Sequence, residues 1–237
     1  MHLTRRALLT GASLIALSST ALARTYIGGV PWEPEAANPP QVFDPSARFF
    51  TSGERDFVTA AVDRLIPEDE FASASQAGVV TFLENQLSGA YGRGDIYYMH
   101  APFSRGEPSQ GYQERAPAIL YRQAIADIAA RLQADKNKTF QELSEEEQDQ
   151  FLLDLSNGDV ELEHVDAKTF FDTFWQDTQL GFFGDPVHGG NRDMVSWRMV
   201  GFPGARYDYR PYIDHNGREL NFEPISVAGA ISQGGKS

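Results

Sequence analysis

The chain has 237 residues, 41% of them hydrophobic and 12% aromatic, enough to bury a sizeable core in one domain. It carries a net charge of −13 and no cysteine. The charge argues against phosphate backbones and anionic lipid surfaces as partners. The missing cysteines exclude disulfides, thiolate metal sites, cysteine-ligated iron–sulfur clusters and covalently attached haem.

Residues 1–23 read as an address rather than as part of the fold. Thr4-Arg5-Arg6-Ala7-Leu8-Leu9 sets paired arginines before the apolar run Ala12–Leu22, which is too short and too rich in Ser, Thr and Gly for a stable membrane span. Ala21-Leu22-Ala23 then offers the small-x-small pattern that signal peptidase reads. The setting of Arg5 and Arg6 is similar to a twin-arginine signal, the route for proteins exported already folded. An ordinary secretory peptide is the other reading. Cleavage after Ala23 leaves 18 basic and 33 acidic residues, a net charge of −15, and no later stretch approaches the length of a membrane span.

Residues 24–50 hold Pro31-Trp32, Pro34, Pro39-Pro40, Phe43 and Phe49-Phe50, and predict an irregular N-terminal arm. A helix is predicted from Ser52 as N-cap, with Phe57, Val58, Ala61, Val62, Leu65 and Ile66 on one face and Pro67 as its stop. A second spans about 77–87, with Val79, Leu83 and Leu87 sharing a face. Between Gly89 and Gly111 glycine and proline remove every period, yet Tyr91, Tyr97, Tyr98, Met99 and Phe103 lie among them. A loop this long with these aromatics is expected to be functional rather than disordered.

A third helix is predicted over 116–134, with Pro117 in its first turn and Tyr121, Ile125, Ile128 and Leu132 buried. Ser144-Glu145-Glu146-Glu147 is a capping box, opening a helix that Asn157-Gly158 ends. Asp166 caps the next, over 167–180, whose Phe170, Phe171, Phe174 and Trp175 make an apolar face; Gly181 is expected just past its end. Asn191 is expected to cap a short helix through Val200, closed by Gly201. Beyond it, Tyr207–Tyr212 predicts an extended aromatic arm. The fold class is therefore mainly α: a compact helical body over 51–204 with irregular aromatic arms at 24–50 and 205–237.

Little here points to chemistry. Tyr91-Gly92-Arg93-Gly94-Asp95 lacks the third glycine, the strand and the helix of a dinucleotide site. No phosphate-binding loop or Gly-x-Ser-x-Gly elbow is present. Asp185, His188 and Asp193 are near enough in sequence to suggest a metal-dependent enzyme, but a glycine-rich turn with carboxylates on backbone amides explains the same residues. The acidic runs at 68–70 and 145–147 suit helix N-termini better than an acid–base pair. A chain with a folded-export signal and no recognisable cofactor site suggests an escort for a partner that bears one.

Three blocks carry a resemblance: Leu65-Ile66-Pro67-Glu68-Asp69 followed by Ala77-Gly78-Val79; Ala101-Pro102-Phe103-x-x-Gly106 with Gly111-Tyr112-Gln113 and Tyr121-Arg122; and Gly181-Phe182-Phe183-Gly184-Asp185-Pro186-Val187-His188-Gly189-Gly190-Asn191-Arg192-Asp193-Met194 with Trp197 and Gly201-Phe202-Pro203-Gly204. Over most of 50–205 the chain resembles the gluconate 2-dehydrogenase subunit 3 family. His188 stands where that family often has Tyr. The resemblance implies a non-catalytic subunit with no cofactor of its own. It implies a large partner that binds FAD and oxidises a sugar or sugar acid, and a multihaem cytochrome c that passes electrons to quinone. It places the complex in the periplasm, at the outer face of the cytoplasmic membrane. The expected partner surface comprises Tyr97, Tyr98, Phe103, Tyr112, Phe182, Phe183, Asp185, His188, Asn191, Arg192, Tyr207, Tyr209 and Tyr212, irregular and aromatic segments whose backbone groups need neighbours.

Overall fold

Helix α1, Ser52–Leu65, opens on Thr51: its hydroxyl accepts from the Glu54 amide, and the Glu54 carboxylate accepts from the Thr51 amide at 2.8 Å. The cap is thus one residue earlier than the expected Ser52, because Thr51 has the glutamate three positions on that completes a capping box. Phe57, Val58, Ala61 and Val62 are buried, as their spacing predicts. The structure, a computed structural model, describes residues 44, 46–95, 115–206, 208–220 and 222–228. The expectations for Arg5, Arg6, Ala21, Ala23, most of the N-terminal arm, Tyr97, Tyr98, Phe103, Tyr112 and Tyr207 lie outside these residues.

Helix α2, Val79–Ser88, starts after Gly78, whose left-handed φ of 90° turns the chain into it. A one-turn helix α3, Ala90–Arg93, occupies the start of what the sequence predicts as loop. Helix α4, Pro117–Lys136, has proline in its first turn and ends at Asn137 in the left-handed conformation. A 3-10 turn, Phe140–Glu142, leads to α5, Glu145–Asn157, opened by the Ser144–Glu147 capping box and closed by Gly158. Helix α6, Ala167–Phe183, is capped by Asp166, whose carboxylate accepts from the Thr169 amide at 2.7 Å. Two 3-10 turns, Pro186–His188 and Arg192–Met194, precede α7, Val195–Val200.

The body packs α6 against α5, α2 and α4, with α1 bridging α2 and α5. Its centre is aromatic: Tyr121, Phe170 and Phe174 lie ring to ring, and Phe57 meets Phe140 edge-on at 5.2 Å. Each fully buried ring of this kind contributes roughly 2–3 kcal/mol. Phe50 is buried in the same core, and the Arg122 guanidinium lies 4.3 Å over the Phe49 ring, so the end of the expected arm is built into the body. Phe170 and Phe174 face inward while Phe171 and Trp175 are half-buried at the margin.

The segment 205–228 departs from the extended arm that the sequence predicts. Arg210–Tyr212 forms a 3-10 turn, and Tyr209 and Tyr212 gather around Phe222, at 6.5 and 4.9 Å between ring centres. Gly204 pairs with Ile225 in a short parallel bridge, allowed because a Cβ on Gly204 would strike the Ile225 backbone. No strand occurs among the described residues.

Candidate functional site

The block from Gly181 to Gly204 is held by three side chains. Gly181 lies inside α6 rather than past its end, because a Cβ there would come 2.8 Å from Phe82 and 3.3 Å from Val79. It is a packing glycine, which the sequence cannot distinguish from a stop signal. Asp185 caps the first 3-10 turn by accepting from the Val187 amide at 3.0 Å, and also accepts from the Ser226 hydroxyl at 2.6 Å and the Val227 amide at 2.8 Å. One carboxylate thus fastens the C-terminal segment to the turn. Asn191 is fully buried: its amide donates to the Gly184 carbonyl at 2.9 Å, and its oxygen accepts from the Ser196 amide and hydroxyl. It serves the first turn of α7 from five residues away rather than as the expected N-cap.

The outer face of this block is apolar. Leu180, Phe183, Met199, Val200, Phe202 and Val227 are exposed. Trp197 ties them together, its indole donating to the Phe183 carbonyl at 2.8 Å and its ring meeting Phe202 edge-on at 5.1 Å. Residues 181–228 contain five arginines, no lysine and six acids, a net charge of −1 against −13 for the chain. Aromatic, arginine-rich, lysine-free surface is the composition of protein interfaces, whereas a solvated face carries the lysine and glutamate that are here on α4 and α5.

Of the residues expected to face a partner, Phe183, His188, Arg192 and Tyr209 are exposed, and Asp185 and Tyr212 are half-buried. Phe182 and Asn191 are not available: both are buried within the chain, one against the core and one bonded across the turn. Asp185, His188 and Asp193 do not converge on a common point. Among the described residues the ligand atoms that do are those of Asp127, Glu163 and His164, within 4.8 Å of one another. There Asp127, buried on α4, accepts from the His164 backbone at 2.8 Å and meets His164 Nδ1 at 2.7 Å; that side-chain hydrogen bond, and then the carboxylate charge, raises the imidazole pKa. The geometry fastens the 163–164 loop to α4.

Besides Asp127, two further buried carboxylates escaped the sequence reading. Asp177 on α6 accepts from the Tyr91 hydroxyl at 2.9 Å and the Tyr121 hydroxyl at 2.8 Å; burial pushes its pKa up to about 6, against the pull of those two bonds. The available signal was its position on the row Phe170, Phe174, Asp177, Gly181. Glu84 on α2 pairs with Arg55 at 2.6 Å and is 2% exposed, its other oxygen lacking a hydrogen-bond partner.

A family profile described as gluconate 2-dehydrogenase subunit 3 matches residues 52–204. The chain belongs to this family. No curated protein and no solved structure matches it. The match begins with α1 and ends at the Gly204 bridge, so this gluconate 2-dehydrogenase subunit 3 protein includes the Gly181–Gly204 block within its family core, with the Tyr209–Phe222 cluster beyond it.

Proposed function

We propose that the chain is the non-catalytic small subunit of a flavin-dependent sugar or sugar-acid dehydrogenase complex. It carries the export signal and escorts a large FAD-binding subunit through the twin-arginine route to the periplasm. The complex holds its FAD in the large subunit and haem c in a cytochrome that delivers electrons to quinone; this chain holds no cofactor. The family match over 52–204 carries the reading. The exposed apolar face of the 181–228 segment supports it, since a face of this composition suits a permanent partner. Among the described residues no helix is long and apolar enough to cross a membrane, in keeping with attachment through partners.

The test is export. Replacing Arg5 and Arg6 together by Lys should leave both this chain and the flavoprotein in the cytoplasm, measured by cell fractionation and flavin content. A flavoprotein that still reaches the periplasm in the double variant would refute escort.

A further inference from the structure

The shared core of the family ends at Gly204, and the segment that follows is closed at its base. Gly204 pairs with Ile225, the Ala205 amide donates to the Ile225 carbonyl at 2.6 Å, and the Ile225 amide donates to the Pro203 carbonyl at 3.4 Å. The Asp185 carboxylate then fixes the returning chain through Ser226 and Val227. Residues 206–224 thus leave and return at one point. The excursion exceeds the roughly 12–15 residues beyond which an irregular loop in a compact domain is usually functional.

It also holds its own shape. Phe222 is its centre: the Tyr212 ring meets it edge-on at 4.9 Å, Tyr209 lies at 6.5 Å, and the Arg206 guanidinium lies 4.5 Å over it. Successive turns continue from this cluster, the amide of Tyr212 donating to Tyr209, that of His215 to Tyr212 and that of Arg218 to His215. Asp208 bonds both the amide and the guanidinium of Arg210. The turn Arg210–Tyr212 is not among the elements whose packing builds the helical body. From Tyr209 to Leu220 every residue except Tyr212 and His215 is exposed. Ile213 is 65% exposed, Tyr209 43% and Leu220 37%, so these three add little to the core and hold apolar surface out to solvent.

That surface adjoins the apolar face of the preceding block, whose Phe202 and Val227 stand two residues outside the base on either side. With the six exposed apolar side chains of that face, the three offer on the order of 800 Å², about what one partner contributes to a standard interface.

We infer that residues 206–223 are a recognition hook for the large FAD-binding subunit, and that this hook, rather than the block shared by the family, selects which flavoprotein the chain accepts. The inference rests on the reading of the chain as an export escort. An apolar face of this size is an aggregation hazard until it is covered. A chain that crosses the membrane folded must therefore meet its partner beforehand, whereas a c-type cytochrome receives its haem only on the far side. The occupant is accordingly the flavoprotein. A loop already shaped by its Phe222 cluster loses little entropy on docking, which suits it to discriminate between similar partners.

The experiment uses the mature chain co-expressed with its FAD-containing large subunit, with the Kd of the complex as readout. Ile213→Asp and Leu220→Asp should each weaken the complex at least about 10-fold and leave the melting temperature of the lone chain unchanged. Leu153→Asp, which alters an exposed apolar residue on α5, should change neither. A graft tests selection. Residues 206–223 placed on a small subunit that serves a different flavoprotein should improve its Kd for this chain's flavoprotein on the order of 10-fold. If the hook variants bind as wild type does, or Leu153→Asp weakens binding equally, the hook is refuted while the subunit reading stands. A graft that gains nothing overturns selection. If Ile213→Asp spares the flavoprotein complex but abolishes binding of the cytochrome or a dimer of this chain, the hook has that other occupant and the proposal fails. If wild type binds no flavoprotein, the subunit reading falls with it.

Discussion

Replacing Asp177 by Asn should make the folded chain more stable at neutral pH and leave it unchanged in acid. Asp177 is 4% exposed and held between the Tyr91 and Tyr121 hydroxyls, and burial raises its pKa from 3.8 to about 6. Between those two values the folded chain holds a proton that the unfolded chain has released. Stability therefore falls as pH rises through this window and levels off above it. A shift of about 2 units corresponds to roughly 3 kcal/mol lost by pH 7 relative to pH 3.5. Asn cannot ionise, keeps an oxygen for one hydroxyl and offers an N–H to the other, so it should recover about 1–3 kcal/mol above pH 7. Asp177→Ala provides the contrast: it removes the acceptor of the fully buried Tyr121 hydroxyl, at about 1–3 kcal/mol. Urea unfolding of the mature chain at several pH values measures all three proteins. If Asp177→Asn changes stability by the same amount at every pH, the raised pKa and its desolvation cause are wrong.

Much of the body was legible because its helices combine a period with a terminus. Ser144 and Glu147, Asp166, and Pro117 sit where caps and first turns require, and the rows through Phe57, Leu83, Tyr121 and Phe174 are buried as spaced. What failed were residues whose local meaning is ambiguous. Glycine past an apolar run is a stop signal, but Gly181 is a gap into which Phe82 and Val79 fit, and α6 runs on through it. Asn before a short helix reads as a cap, yet Asn191 takes a left-handed φ and spans the turn from inside. Aspartate on an apolar row reads as an interruption, whereas Asp177 is buried because two tyrosines from other helices reach it. The hold of Asp185 on Ser226 and Val227 joins residues some 40 positions apart, which no periodicity encodes.

The remaining expectations test the packing and charge that frame the site. Asp127→Asn should return the His164 imidazole to an ordinary pKa by NMR titration; the stability that this pair supplies is present at low pH and lost as pH rises through the raised His164 value. A second test separates steric closure of the turn from backbone conformation. A Cβ on Gly190 would run into the Gly181 carbonyl, and both groups are backbone held by α6 and by the buried Asn191, so neither has room to yield. Gly190→Ala should cost at least about 3 kcal/mol and detach the turn from α6. Gly201 has the more restrictive feature by sequence logic, a positive φ of 69° closing α7, yet nothing lies within 4 Å of its missing Cβ. Gly201→Ala should therefore cost only about 1–2 kcal/mol, the difference between left-handed alanine and glycine. Denaturant midpoints of the two variants decide it: if Gly201→Ala is the more damaging, the turn is governed by backbone conformation, and the contact of Gly190 with Gly181 does not hold the block in place.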